Sequence, residues 1–329
     1  MSVLYVVEHG AKVYRRGEQI AVEKDGEDLA EIELSRLSSV VALNTVQFTT
    51  QALCALLEAG IELAFITSRG DLLGQLTPPL ARNLALRKAQ FHRETDPEFV
   101  LKQSKAIVAA KAENQRQVLV RHSLDKPGRQ TRVQAAAEGI ERAAKRIETV
   151  TSVDSLLGIE GECAALYWGA FADLLLADGV PFPGRRKRPP PDPVNAVLSL
   201  GYTLLTNLLT ATLDAYGFDP WLGFLHSETY GHPSLALDLV EPFRAPVVDR
   251  MTLRVFNLRI LTPGNFRPYE GGGIRLDDDG LRSFFREWER TLARLSIREA
   301  IKTQMEQLAR VYRGQEDEVK PWLWSARQN

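Results

Sequence analysis

Residues 72–80, LLGQLTPPL, mark the point at which the pattern of the sequence changes. Before them, short runs rich in β-branched and aromatic residues alternate with glycine and aspartate turn signals. After Pro78-Pro79 the apolar residues recur at helical spacing. The sequence therefore predicts an α+β protein. It has a small, β-sandwich-like N-terminal domain over residues 1–79, suited to dimerisation or other interactions, and a larger all-α domain over residues 80–329.

The predicted elements fill both regions. Strands are expected near residues 4–7, 12–15, 19–22, 31–34, 39–43, 62–67 and 72–76, with one helix over residues 45–59. Helices are expected at 80–93, 97–122, 130–149, 152–178, 193–216, 234–241, 247–260 and 280–313. The helix from Pro193 has the clearest limits, because Asp192 can cap it and Gly217 can end it. Residues 270–273, EGGG, are interpreted as a flexible loop.

The composition argues against several classes of protein. The chain has 329 residues, of which 44% are hydrophobic and 25% charged, and a formal net charge of −1. Cys54 and Cys163 each lie in an apolar helical pattern, which argues against a disulfide framework and a cysteine zinc site. No run is expected to be long enough to cross a membrane, and residues 1–8 lack the features of a signal peptide. We therefore expect a cytoplasmic protein with no membrane contact.

Charge is distributed unevenly along the chain. Residues 1–81 carry six Lys and Arg against eleven Asp and Glu, whereas residues 82–150 carry fifteen against eight. A basic cluster follows at Arg185, Arg186, Lys187 and Arg188. Concentrated positive charge can bind the phosphate backbone of DNA even when the whole protein is neutral. The alternative interpretation is a solvated helical face.

Glu160 stands where the helix predicted over residues 152–178 should be apolar. At about 100° per residue it shares one stripe with a set of apolar side chains: Leu156, Cys163, Tyr167, Phe171 and Leu174. Glu162 lies about 200° away around the same helix and should face elsewhere. Glu160 is therefore the functional candidate. The alternative is a structural carboxylate that pairs with a basic side chain.

His226, Asp238 and Glu241 also lie in apolar surroundings. Ser234 is predicted to cap a short helix on which Asp238 and Glu241 share a face at i and i+3. Like charges at that spacing repel, so a neutralising partner is expected; Arg244 could supply part of it and a metal the rest. A lone histidine in such a place is otherwise more often hydrogen-bonded structure than a ligand.

The type of ligand distinguishes between metals. Carboxylate oxygens with one imidazole and no thiolate suit Mg²⁺ or Mn²⁺ better than structural zinc. Such a site can activate a hydroxyl nucleophile and polarise a phosphoryl oxygen, as phosphodiester chemistry requires. Zinc hydrolase chemistry is the alternative, but the sequence has no His-Glu-x-x-His helix, and it also lacks a phosphate-binding P-loop and a dinucleotide fingerprint.

A polar seam runs along the helix from Pro193. Asn195, Ser199 and Tyr202 recur on one face of this otherwise apolar helix. Together with Arg244 they could orient the ligands on a neighbouring helix through hydrogen bonds. The alternative is a seam of hydrogen bonds between helices that has no part in the site.

Four ordered motifs resemble one known family. They are residues 157–161 (LGIEG), 192–202 (DPVNAVLSLGY), 223–226 (GFLH) and 234–244 (SLALDLVEPFR). The combination is similar to the CRISPR-associated adaptation integrase, the universal subunit of spacer acquisition. The resemblance runs over essentially the whole chain and includes the β-then-α order.

This resemblance implies a site, a reaction and partners. Glu160, His226 and Glu241 match the metal ligands, and Asp238 matches an accompanying acidic position counted with the catalytic residues. Many members have Asp where this chain has Glu241. The implied reaction is attack of a DNA 3′-hydroxyl on a repeat phosphodiester, with associated nicking. The implied partners are double-stranded DNA (protospacer and CRISPR repeat), a second copy in a homodimer, and a small ferredoxin-like subunit that completes a heterohexamer-type complex.

Two other functions remain open at this stage. A stand-alone metal-dependent nuclease that hydrolyses branched or single-stranded DNA would use the same residues, with water as the nucleophile. A helical DNA-binding or scaffold protein would need the acidic residues only for structure. Joined, cut or absent DNA products distinguish the three.

Overall fold

The computed structural model describes residues 2–67, 72–77, 83–122, 127–186, 189–226, 233–269 and 272–325, with the backbone alone for 127–129. The predicted domain boundary between residues 79 and 80 lies outside these ranges. The strand-rich N-terminal part and the helical C-terminal part confirm the predicted fold class.

The described N-terminal strands form two four-stranded sheets. The strands are β1 Ser2–Val6, β2 Lys12–Arg16, β3 Gln19–Lys24, β4 Glu27–Glu33, β5 Leu37–Leu43, β6 Gln47–Phe48, β7 Glu62–Ile66 and β8 Leu72–Leu76. One sheet has the order β1-β5-β7-β8, with β1, β5 and β7 parallel and β8 antiparallel to β7. The other has the order β4-β3-β2-β6. Two residues of each sheet, Val13 and Ile20 in one and Val40 and Leu63 in the other, are fully buried in the hydrophobic core.

The N-terminal helix is shorter than predicted. Helix α1 is Thr50–Glu58, because Thr49 caps it by accepting a hydrogen bond from the Ala52 amide at 3.2 Å. Gln47 and Phe48, before the helix, form strand β6, whose pairing with β2 is a long-range contact that local periodicity does not show.

The helices of the C-terminal part keep close to the predicted positions. Their bounds are α2 Leu84–Glu94, α3 Pro97–His122, α4 Pro127–Ala144, α5 Val153–Phe171, α6 Pro193–Tyr216, α7 Ser234–Phe243, α8 Arg250–Asn257, α9 Asp278–Arg294 and α10 Ile297–Tyr312. Helix α3 packs against α4, α5 and α7, so it is the centre of this half of the molecule. The predicted ends of two helices are replaced by 3₁₀ turns, Ile147–Thr149 and Ala172–Leu174.

Three of the predicted helices follow a different course. The predicted helix over 280–313 is interrupted at Ser296, whose left-handed φ of 50° separates α9 from α10. The predicted helices 234–241 and 247–260 are joined by a π-helical segment, Arg244–Asp249. Pro246 lacks an N–H and cannot donate to the Pro242 carbonyl four residues earlier. That carbonyl instead accepts a hydrogen bond from Asn114 Nδ2 at 2.6 Å.

Gly272 and Gly273, the described half of the segment 270–273, lie between two paired strands. Strands β9 Phe266–Pro268 and β10 Ile274–Leu276 form an antiparallel hairpin. The Tyr269 amide donates to the Gly273 carbonyl at 3.0 Å, and Gly272 and Gly273 have φ of 82° and 75°. Glu270 and Gly271 lie outside the described residues.

Helix α6 has the predicted limits, but the expectation about membrane-length runs was wrong. Asp192 caps the helix through the Asn195 amide at 2.8 Å, and Gly217 ends it with φ of 85°. Its 24 residues include an 18-residue window with a mean hydropathy of 1.4, half of it buried, so among the described helices this one could cross a membrane by length and composition. A core helix passes the same test. The packing of α6 against α7 and α10 is that of a core helix.

The C-terminal segment after α10 crosses helix α3. Gln103 accepts a hydrogen bond from the Val319 amide at 2.8 Å. Asn114 accepts one from the Trp324 amide at 2.9 Å and donates to the Trp322 carbonyl at 3.0 Å. The Trp322 ring stacks on Phe243 with centroids 5.1 Å apart. One asparagine of α3 thereby joins the end of α7 to the C-terminal segment.

Candidate functional site

Glu160 of α5 and Glu241 of α7 converge on one cation, Lys111 of α3. The Lys111 ammonium contacts Glu160 Oε1 and lies 2.6 Å from Glu241 Oε2. The exposed fractions of the three side chains are 13% for Lys111, 23% for Glu160 and 3% for Glu241. The sequence prediction named both carboxylates, and the structure brings them together. It also shows the basic partner that the alternative interpretation of Glu160 required.

Lys111 was missed by the sequence analysis. It lies on the buried face of α3, one turn after Ile107 and Val108 and one turn before Asn114. A lysine at a core position of an amphipathic helix was the signal that could have identified it, because long cationic side chains are almost never buried without a partner. Several polar residues share that face of α3, and they hide the periodicity.

The cations around Glu241 hold it in its charged form. Burial alone would raise the pKa of Glu241, but Arg244, Lys111 and His226 together lower that pKa to about 2. Burial likewise opposes the charge of Lys111, yet Glu241 and Glu160 raise the pKa of its ammonium. Arg244 Nη1 lies 3.3 Å from Glu241 Oε1, as expected for a partial neutralising partner. Glu241 and Lys111 are therefore both charged at neutral pH although they are buried.

His226 is oriented by Asp238, which is fully buried. Asp238 Oδ2 accepts hydrogen bonds from the amides of Phe224 at 2.6 Å and Leu225 at 2.9 Å. Asp238 Oδ1 contacts the His226 amide nitrogen at 3.0 Å and His226 Nδ1 at 2.6 Å. The hydrogen bond to Asp238 is the main reason that the pKa of His226 is raised, although burial opposes it. With Nδ1 engaged in this way, Nε2 is the nitrogen left for a ligand.

Two details of this region differ from the prediction. Asp238 and Glu241 do not share a neutralising partner, because Asp238 is held by His226 and three amides whereas Glu241 faces Lys111 and Arg244. Ser234 is the first residue of α7 and not its cap. The two helix amides after Ser234, those of Leu235 and Ala236, donate hydrogen bonds to the Pro220 carbonyl at 3.0 Å and 3.5 Å.

The donor set is suited to a hard divalent cation. Glu241 Oε2 is buried and has no hydrogen-bond partner in the described part of the chain, since its contact with Lys111 is an ion pair without hydrogen-bond geometry. Two carboxylates and an imidazole held by a third carboxylate are ligands that Mg²⁺ and Mn²⁺ accept. Within the described ranges no three His, Cys, Asp or Glu side chains already surround one point. The ammonium of Lys111 occupies the space between the two glutamates.

The polar side chains along α6 form hydrogen bonds with residues next to the site. Asn195 Oδ1 accepts hydrogen bonds from Arg185 Nη1 and the Arg186 amide, both at 2.8 Å, and Ser199 Oγ lies 3.3 Å from the Arg185 guanidinium. Tyr202 donates to the buried carboxylate of Asp249. These α6 side chains therefore bond to Arg185, Arg186 and Asp249 and not to the carboxylates around Lys111. Asn195 and Ser199 thus bond to the non-helical segment before α6, and neither the expected support of the ligands nor the alternative of a seam between helices describes them.

Tyr202 is linked to the carboxylates through Arg244. The Arg244 guanidinium lies 5.1 Å from the Tyr202 ring centroid, and that of Arg185 lies 5.2 Å from it. Arg244 touches Glu241 directly, so its expected supporting role has a geometric basis.

The predicted basic cluster is only partly described by the structure. Arg185 is half-buried, and burial lowers the pKa of its guanidinium. Its hydrogen bonds to α6 give it a structural role in addition to any contact with DNA. Arg186 is exposed and is still a candidate for binding DNA. Lys187 and Arg188 lie outside the described residues.

Glu162 faces away from the site, as predicted. Its side chain is 49% exposed and pairs with Arg146. The stripe that carries Glu160 is buried at Leu156, Cys163, Tyr167, Phe171 and Leu174, as the helical spacing predicts.

Comparisons with known proteins show which chains this protein is similar to. A family model described as CRISPR associated protein Cas1 matches residues 4–290. A CRISPR-associated endonuclease Cas1 of Rhodospirillum rubrum is 33% identical, and the match covers 98% of each chain. A casposase bound to its integration product has the same fold, with a TM-score of 0.84 and 24% identity over 99% of this chain and 95% of that one. A chain of a Cas6-RT-Cas1–Cas2 complex matches at a TM-score of 0.82 and 25% identity, covering 99% of this chain and 36% of that one. The chain belongs to the Cas1 family of CRISPR-associated proteins.

Proposed function

We propose that this protein is a metal-dependent DNA integrase and endonuclease of CRISPR spacer acquisition. The observation that carries the proposal is the convergence of Glu160 and Glu241 from separate helices on one buried cation. The relative named an endonuclease and the casposase bound to an integration product support this class of reaction.

The proposed ligands of the metal are Glu160, His226 and Glu241, with Mg²⁺ or Mn²⁺ as the ion. When bound, the ion would lower the pKa of the attacking hydroxyl and stabilise charge on the phosphoryl group. The chain supplies the rest of the arrangement. Asp238 fixes the tautomer and ring position of His226, and Arg244 adds positive charge beside Glu241.

The proposed substrates and partners are those that the resemblance to the adaptation integrase implies. The protein would join the 3′-hydroxyl of a captured double-stranded DNA fragment to a phosphodiester of the CRISPR repeat. It would act in the cytoplasm as a homodimer together with a small ferredoxin-like subunit in a heterohexamer-type complex. Support comes from the match to a chain of a complex that contains Cas1 and Cas2.

A strand-transfer assay with the Glu160→Gln variant tests this function. Purified protein, with and without the small subunit, is incubated with a labelled duplex bearing free 3′-hydroxyls and a plasmid that carries the repeat, in Mn²⁺ or in EDTA. We expect label joined to the plasmid only with Mn²⁺, and a loss of at least about a hundredfold in Glu160→Gln, because the substitution removes a charged ligand. DNA binding should remain.

Glu162→Gln is the matched control, because this carboxylate is on the same helix but pairs with Arg146 at the surface. It should join DNA at the wild-type rate. Joining in EDTA, or full activity of Glu160→Gln, would contradict the proposal. Metal-dependent cutting without joining, even with the small subunit present, would instead indicate the stand-alone nuclease.

A further inference from the structure

Lys111 holds together the two glutamates that the proposed function assigns to the metal. Its ammonium contacts carboxylates from two different helices, α5 and α7, and its side chain is 13% exposed. A buried carboxylate is strongly destabilising without a compensating positive charge. Lys111 supplies that charge in the protein without metal.

The charges of this cluster balance as they stand. Glu160 and Glu241 carry two negative charges, and Lys111 and Arg244 carry two positive charges. A divalent cation entering between the carboxylates would give the same buried set a net charge of about +2 while Lys111 stays in place. The ammonium and the ion repel each other strongly because the site is shielded from water. Both therefore cannot favourably occupy the space between Glu160 and Glu241.

The backbone that carries Lys111 is fixed, whereas its side chain can move. Asn114, three residues further along α3, bonds to the Pro242 carbonyl at 2.6 Å and to the Trp324 amide at 2.9 Å. This ties α3 to the residue that follows Glu241. The lysine stem has four rotatable bonds, so the ammonium can leave the carboxylates without movement of the helices.

We infer that Lys111 is a displaceable internal counter-ion, which keeps Glu160 and Glu241 together before the metal binds and gives way to the ion when it does. This inference rests on the proposed metal-dependent function. It assigns to Lys111 a role in the metal-free protein and in ion competition, and it makes Lys111 neither a ligand nor a group that acts on DNA.

The test compares Mn²⁺ binding by full-length wild type, Lys111→Met and Lys102→Met after removal of metal with EDTA. Isothermal titration calorimetry measures the affinity for Mn²⁺ alone, and thermal unfolding measures the midpoint in EDTA and in Mn²⁺. Methionine keeps most of the volume of lysine and removes its charge. Lys102 is exposed on the same helix, so Lys102→Met is the matched control.

Lys111→Met should bind Mn²⁺ at least about tenfold more tightly than wild type, because one competing positive charge is gone. Its unfolding midpoint should be lower than that of wild type in EDTA and should rise more on addition of Mn²⁺. Lys102→Met should match wild type in both measurements. The inference would be overturned if wild type binds Mn²⁺ measurably and Lys111→Met binds it equally or more weakly. That result would leave the proposed function standing.

A second variant covers the case in which Lys111→Met does not fold. The double variant Lys111→Met/Glu160→Gln removes one positive and one negative charge, so it should unfold at a higher temperature in EDTA than Lys111→Met alone. Absence of any such recovery would refute the counter-ion role. Failure of every protein, wild type included, to bind Mn²⁺ would reject the proposed metal-dependent function and this inference with it.

Discussion

Replacement of Asp238 by asparagine tests how the fold prepares His226. Each carboxylate oxygen of Asp238 has two nitrogen partners: Oδ2 faces the amides of Phe224 and Leu225, and Oδ1 faces the amide and the Nδ1 of His226. An asparagine has one oxygen and one NH₂ group in the same places. Whichever way the amide is turned, its NH₂ faces two groups that donated to the carboxylate.

The expected loss of stability depends on which hydrogen-bond partners of Asp238 can change from donor to acceptor. If the asparagine oxygen faces Phe224 and Leu225, the imidazole of His226 can move its proton to Nε2 and accept from the NH₂ group at Nδ1. The backbone N–H of His226 cannot adapt and loses its acceptor, at a cost of about 1–3 kcal/mol. Loss of the charge-assisted bonds to the other amides adds to this. We expect Asp238→Asn to lower the free energy of unfolding by about 2–4 kcal/mol.

The same change should weaken metal binding, because a proton on Nε2 removes the lone pair that a ligand needs. Urea unfolding followed by circular dichroism in EDTA measures the stability, and ¹⁵N NMR of the imidazole shows which nitrogen carries the proton. Asp279→Asn is the control, since that side chain is 82% exposed and should change stability by less than about 1 kcal/mol. An Asp238→Asn protein within about 0.5 kcal/mol of wild type, with its proton still on Nδ1, would refute this reasoning.

Two further substitutions test the surroundings of the site. Gly223→Ala should lower the free energy of unfolding by about 2–3 kcal/mol in urea, because its Cβ would lie 2.6 Å from Asp238 Oδ2 and 2.7 Å from the carbonyl carbon of Ser234. Gly169→Ala on helix α5, whose Cβ would have no described atom within 4 Å, should instead gain up to about 1 kcal/mol, and equal effects of the two changes would contradict the argument. Glu62 has a pKa raised to about 7 by burial and by Asp214, so its favourable contribution is complete below about pH 4.5 and is lost as pH rises through 7. Glu62→Gln should therefore be more stable than wild type at pH 8 by up to a few kcal/mol, because a tenfold change in proton affinity between the folded and unfolded chains corresponds to about 1.4 kcal/mol. An advantage that does not grow between about pH 4.5 and pH 8 would count against the buried carboxylate.

Local signals predicted much of the fold. The limits of α6 were predictable because its cap Asp192 and its terminal Gly217 act within a few residues of the helix ends. The break at Ser296 was not, since a serine at φ of 50° carries no local signal of a left-handed conformation. The π-helical segment after α7 was not predictable either, because the donor that replaces the missing Pro246 amide at the Pro242 carbonyl is Asn114, 128 residues away in sequence.

The residues of the site also differ in how far local sequence signals could identify them. Glu160 and Glu241 could be found because each interrupts an apolar helical stripe, and His226 because it follows an apolar segment. Lys111 was harder to find, because other polar residues, such as Gln103 and Asn114, share the buried face of α3 and hide its periodicity. Those residues face the C-terminal segment, to which they are hydrogen-bonded across more than 200 positions. A pattern along one helix does not show which polar residue meets a carboxylate and which meets a distant backbone.

The seating of the C-terminal segment on Asn114 has a consequence for biosynthesis. Helices α3 and α7 leave the ribosome well before Trp322 and Trp324, yet the same asparagine side chain bonds all three parts of the chain. Domains begin to fold during translation from their N-terminal side. A nascent chain that has reached only α8 therefore carries both glutamates and Lys111. The hydrogen bonds from Asn114 to Trp322 and Trp324 have not yet formed in it. Translation must continue past Trp324 before Asn114 can make all three of these hydrogen bonds.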